Sequence, residues 1–240
     1  MFNNIPPITR NIIILNIVVY IAALVIPQLD FYLAAYFPLS PQFKSWQIIT
    51  HMFMHGSPMH ILFNMFTLFS FGPILEQSLG AKKYLILYFL SGLGAFFLFN
   101  LWNFVEYQDA YSQLSNLGFD IQGYVADPES FVNAQVSLKV QELINDQINP
   151  IIFGRMVGAS GAIFGVIAAF ATLYPEAKIG IMFIPVPVKV KYLLPIIIVG
   201  SVVLGVTGNV GGIAHLAHVG GAIVGFILAM IWKKHLYRFK

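Results

Sequence analysis

Ser160 stands in "GASGAIFG" (residues 158–165), a hydroxyl at the head of an apolar run. A serine hydroxyl is a poor nucleophile at neutral pH. It attacks a peptide carbonyl only when a neutral imidazole takes its proton and later returns it to the leaving amine. His218, in "AHVGGAIVG", is the candidate base. The stretches "SGAIFG" and "GGAIVG" read alike, and each carries a small-xxx-small pair, Gly161/Gly165 and Gly221/Gly225, of the kind that lets helix backbones approach closely. Such a seam would carry an imidazole to a hydroxyl. A membrane serine more commonly bonds a carbonyl of its own helix, whereas an ionisable residue inside a span is a functional candidate by default. His215, one turn earlier and without the glycine spacing, ranks second as a base.

Acyl transfer also needs donors aimed at the developing oxyanion. In "HMFMHGSPMHILFN" (residues 51–64), Ser57 reads as a helix N-cap and Pro58 as its first residue. His60 then lies in the first turn and shares a helix face with Asn64. These two side chains and the Ser160 backbone N–H are the candidate donors. His51 and His55, four residues apart, have the spacing of a zinc pair. No acid or cysteine stands nearby to complete a site, so loop packing is expected of them and no metal or other cofactor is implied.

The elements that must position these groups are membrane spans. Of the 240 residues 58% are hydrophobic and 10% charged, against roughly 25% charged in soluble domains, and mean hydropathy is +0.78. Absence of cysteine excludes thiol nucleophiles and disulfides. The basic residues behind the +3 net charge are dispersed, so no nucleic-acid partner is expected. Six apolar segments can be drawn: Ile12–Pro27, Met59–Leu79, Tyr84–Phe104, Val157–Tyr174, Tyr192–Thr207 and Ala214–Trp232. The N-terminal segment reads as a retained span rather than a removed signal. An aromatic, proline-broken loop separates the first two spans and reads as interfacial. A polar insert, Val105–Pro150, separates the third and fourth and holds seven of the ten acidic residues. Within it Asp127-Pro128 reads as the start of an amphipathic helix, "DPESFVNAQVSLKVQELIND". The expected fold is all-α, a polytopic six-helix bundle of residues 1–240.

Arg10, Lys82, Lys83, Lys178, Lys189, Lys191, Lys233, Lys234, Arg238 and Lys240 fall on one side of this arrangement, and Lys44, Lys139 and Arg155 on the other. The positive-inside rule makes both termini cytoplasmic and the insert external. Ser160 precedes Tyr174 by the same fourteen residues that separate His218 from Trp232, so both sit roughly 21 Å above the inner interface of a layer about 30 Å thick. Glu76 and Glu176 fall near the inner ends of their spans, and from Ala177 to Lys240 the chain has no Asp or Glu. A Ser/His dyad is therefore expected rather than a triad.

Taken together, "HGSPMHILFN", "GASGAIFG" and "AHVGGAIVG" resemble the rhomboid intramembrane serine proteases. The resemblance covers all six spans. It implies that Ser160 is nucleophile and His218 base, that His60 and Asn64 form an oxyanion hole, and that Phe164 packs on the imidazole, with Gly158, Gly161, Gly221 and Gly225 in supporting places. Hydrolysis of a peptide bond in or near a partner's transmembrane segment, in a bacterial plasma membrane, follows from it. The sequence departs from the family pattern at Trp46, followed by Gln47 where an arginine is often found, and in the length of the insert. A non-catalytic member binding membrane clients as a chaperone or adaptor is the alternative; a transporter would show charges deep in several spans. Glycines around "GVTGNVGG" make the link Gly205–Gly212 a candidate lid for substrate arriving from the lipid.

Overall fold

The computed structural model describes residues 5–131, 135–179, 187–207 and 212–236. Six long helices carry it: α1 (Pro7–Val25), α2 (Pro58–Leu79), α3 (Ala81–Asn116), α4 (Ser160–Leu173), α5 (Val190–Thr207) and α6 (Gly212–Leu236). Among the described residues α1, α2, α3 and His215–Lys233 of α6 are long and apolar enough to cross a membrane, and α4 is a shorter apolar helix. Exposed large apolar side chains run along α1 (Ile14, Val18, Ile21), α2 (Phe63, Phe66), α3 (Phe97, Leu101) and α6 (Phe226, Ile227). In water such a surface would aggregate; here it faces lipid.

α4 is the central helix. Gly161 through Val166, Phe164 excepted, and Ala168 through Leu173, Thr172 excepted, are buried, and α4 packs against α6, α3 and α2. Fourteen residues span only about 21 Å, so a helix starting at Ser160 begins well inside a layer about 30 Å thick. The irregular backbone before it must then be satisfied by protein. It is: Met156 exchanges two backbone hydrogen bonds with Ala35 (2.9 and 2.8 Å), and Gly158 N–H donates to the His51 carbonyl at 2.9 Å.

At the opposite end, Lys233 Nζ donates to the Thr172 carbonyl (2.8 Å), Lys83 lies 5.9 Å over the Trp232 ring, and Ser78 bonds Tyr174. A two-strand ribbon, β1 (Lys178–Ile179) and β2 (Val188–Lys189), leads from α4 to α5. Lys189 and Lys191 donate to Glu176 at 2.7 and 2.5 Å, and their hydrogen bonds hold its carboxyl down at about 2.

α1 is tied to α2 by one buried acid. The Glu76 carboxyl accepts from Ile8 N (2.9 Å), Thr9 N (2.7 Å) and Thr9 Oγ1 (2.8 Å), satisfying backbone donors at the start of α1 that no helical carbonyl can reach. We expect Glu76→Ala to lower the stability of the folded protein by about 3 kcal/mol, because buried donors are left unpaired. Chemical unfolding in micelles measures this, and an unchanged midpoint would refute the anchoring role.

Two expectations about the insert are corrected. α3 does not stop at Phe104 but continues to Asn116. Beyond the bilayer-length run its pattern turns from wholly apolar to striped, with Tyr107, Ala110 and Leu114 buried, the i, i+3, i+7 spacing of an amphipathic helix. Nor does a helix start at Asp127. Pro128–Phe131 form a short 3₁₀ turn, and the helix begins at Leu138. Ser137 is its cap, in extended conformation and accepting from Val140 N (3.4 Å). The helix widens to π geometry over Ile144–Ile148 before Asn149-Pro150, where proline cannot donate. The insert has its own apolar cluster, including Tyr107, Leu114, Ile121, Leu143, Ile148 and Ile152, and Phe37 of the first loop is buried in it.

Candidate active site

Each candidate is placed by a local feature. Ser57, extended at φ −160° and ψ 160°, caps α2 by accepting from His60 N at 3.2 Å, and Pro58 opens the helix. The chain therefore turns sharply after Gly56, and His60 emerges in the first turn. Gly158 adopts φ +123°, a conformation L side chains rarely adopt. A methyl group there would lie 2.7 Å from His60 Cε1 and 3.6 Å from Ser160 Oγ. Glycine at 158 thus permits the turn into α4 and leaves His60 room beside Ser160.

His218 Nε2 lies 2.9 Å from Ser160 Oγ, a hydrogen bond across the α4–α6 seam. The Phe164 ring stacks on the His218 imidazole with centroids 4.1 Å apart and planes 2° from parallel, fixing the ring's tilt. The glycine pairs account for the approach. A methyl group on Gly221 would lie 1.9 Å from the Gly161 carbonyl oxygen, and one on Gly225 2.1 Å from that of Gly165. His215 meets His218 edge to face at 6.0 Å between centroids; the serine's hydrogen bond goes to His218.

On the other flank, Asn64 is buried and its Nδ2 has no hydrogen-bond partner among the described residues. Ser160 is the first residue of α4 and no side chain caps that helix, so its first backbone N–H groups are unclaimed by helical carbonyls and carry the positive end of the helix dipole. A carbonyl held at Ser160 Oγ would lie close to the N–H of the same residue.

His51 bonds within the first loop and His55 packs against α2. His51 is buried, its Nδ1 2.8 Å from the Gln47 carbonyl, and burial lowers its imidazole to about 4. His55 packs edge-on against His60 at 5.0 Å. Among the described residues there is no group of three His, Cys, Asp or Glu that could hold a metal. Gln47, standing where the family often has arginine, bridges its own loop: it accepts from Lys44 N (3.0 Å) and donates to the Gln42 carbonyl (3.2 Å).

Sequence reasoning missed the contribution of α3. A methyl group on Gly220 would lie 2.4 Å from the Gly94 carbonyl oxygen, one on Gly161 2.3 Å from Ala95 Cβ, and one on Gly165 1.9 Å from Ser91 Oγ. Small residues at 91, 94 and 95 mark one face of α3, and that spacing was the available signal. The candidate lid, Gly205–Gly212, includes residues 208–211, which lie outside the described residues.

A family model for the Rhomboid domain matches residues 42–235. The chain belongs to the rhomboid family. It is an integral, multi-pass membrane protein, as the apolar helices require. Among its rhomboid relatives, presenilin-associated rhomboid-like protein A, mitochondrial, of Danio rerio is 28% identical over 93% of this chain and 49% of that protein. Rhomboid protease AarA of Providencia stuartii is 28% identical over 94% of the chain and 72% of that protein. Rhomboid protease GlpG of Salmonella typhi is 30% identical over 58% of the chain and 51% of that protein. The chain thus spans about half the length of two of these relatives.

Proposed function

We propose that this rhomboid is an intramembrane serine endopeptidase that cuts transmembrane segments of other membrane proteins. The observation that carries the reading is the 2.9 Å contact between Ser160 Oγ and His218 Nε2, set below the membrane surface by a helix that starts at the serine. In the proposed mechanism neutral His218 takes the hydroxyl proton as Ser160 attacks the scissile carbonyl. His60, Asn64 and the Ser160 backbone N–H donate to the oxyanion. His218 then protonates the leaving amine, and water, activated by the same imidazole, releases the acyl-enzyme. Gly158 makes room for His60, Phe164 holds the imidazole, and the glycine pairs Gly161/Gly221 and Gly165/Gly225 set the seam.

We place the insert on the outer side of the membrane, with both termini cytoplasmic, and the site opening to that outer side. Folded helices hide their peptide bonds, so a substrate must unwind locally, and small or helix-breaking residues near that surface favour it. The reading is tested by reconstituting the purified protein in proteoliposomes with a single-span reporter. Cleavage within or beside the reporter's span supports it. A reporter that co-purifies with the protein but stays uncut would support the adaptor reading and overturn this one.

A further inference from the structure

A cavity of about 340 Å³ lies between the end of α1, the end of the first loop and the approach to Ser160, within the size range of small-ligand sites. Tyr20, Ala23, Leu24 and Pro27 form its α1 wall. Met54 and His55 lie buried in it, while Asp30 and Arg155 stand at its more exposed edge. Neither His55 ring nitrogen has a hydrogen-bond partner among the described residues, although the residue is 6% exposed. Burial, with neighbouring His60 second, lowers its imidazole to about 4, against a smaller opposing effect of the Phe53 backbone. The ring is thus neutral, with one donor and one acceptor to satisfy.

We propose that this cavity is a lipid site, holding the headgroup of a phospholipid that carries a primary ammonium, with its acyl chains lying along α1. Three observations select this occupant. Asp30 and Arg155 form an ion pair at the cavity's edge, with side chains 37% and 48% exposed. A pair this exposed can still accept from an ammonium at the carboxylate and donate to a phosphate from the guanidinium. A zwitterion complements that pair, and a primary ammonium does so better than a quaternary one, which has no N–H. The apolar wall is continuous with the membrane-facing side of α1, where Ile21, Leu24 and Val25 are exposed. Finally, Phe31, Tyr32 and Trp46 are exposed nearby, with Trp46 Nε1 bonded to the Tyr32 carbonyl at 2.9 Å. Such aromatics gather at headgroup level.

Native mass spectrometry of the purified full chain, with phosphatidylethanolamine, phosphatidylcholine or phosphatidylglycerol of identical acyl chains added in turn, tests the site. One phosphatidylethanolamine should be retained about tenfold more tightly than the other two. Ala23→Phe, which fills the cavity from the α1 wall, should remove that preference. Asp30→Asn should bring phosphatidylethanolamine down to the level of phosphatidylcholine, and it stands as the test should Ala23→Phe fail to fold. Soluble glycerophosphoethanolamine, lacking acyl chains, should not be retained. Equal retention of the three lipids, an unchanged preference in Asp30→Asn, or retention of the soluble headgroup alone would overturn the proposal. A cavity that retains no lipid would overturn it as well. None of these results bears on whether Ser160 is a nucleophile.

Discussion

Ser160→Ala and His218→Ala are each expected to lower cleavage of a membrane reporter by about 10⁴-fold or more, and the double variant to lose little beyond the worse single one. In the proposed mechanism the two groups form one device: without the imidazole the hydroxyl keeps its proton, and without the hydroxyl the imidazole has nothing to activate. The 2.9 Å contact and the Phe164 stack leave a single ring, His218, in position to serve. His215→Ala removes only an edge contact on that ring and should cost far less. A serine-directed fluorophosphonate gives a second readout, since labelling should vanish in Ser160→Ala, nearly vanish in His218→Ala and persist in His215→Ala. Substantial proteolysis by Ser160→Ala, or equal damage from the two histidine variants, would overturn the assignment.

The next largest effect is expected on the oxyanion flank. Loss of either His60 or Asn64 should reduce turnover by up to about 10²–10³, with a much smaller change in KM, because these donors tighten as negative charge develops. Asn64 Nδ2, buried and without a partner among the described residues, is satisfied in this mechanism only when a substrate oxygen arrives. His60→Ala also empties the space beside Gly158, so its fold must be checked by thermal unfolding. A folded His60→Ala/Asn64→Ala double variant with undiminished turnover would remove both residues from the mechanism.

How much of this could be read from the residues depended on how local the signal was. The start of α2 was legible because Ser57, Pro58 and His60 act within one turn. The Ser160–His218 juxtaposition was legible because two glycine pairs with equal spacing and equal depth admit few arrangements. The insert was not. Its α3 extension is held by apolar contacts distant in sequence, such as Phe37 against Tyr107, 5.9 Å between centroids, and Asp127-Pro128 offered a cap that Ser137 took instead. The role of Ser91, Gly94 and Ala95 in seating α4 and α6 also escaped, since small residues in an apolar helix carry no sign of which neighbour they admit.

The glycine contacts between α4 and α6 join backbone to backbone, so the spacing of serine and histidine owes little to side-chain choice. Lipid-facing positions such as Phe226 and Ile227 can drift among apolar types without disturbing the pair. Chain length enjoys no such latitude. One residue inserted between Ser160 and Gly165, or between His218 and Gly221, would turn the reactive group about 100° around its helix while the seam stayed shut. Substitution is cheap on the lipid face of this framework, costly at the seam glycines, and insertion is fatal to it. Under the proposed function, the parts left to yield to an entering substrate are the helices outside the closely packed α3–α4–α6 trio.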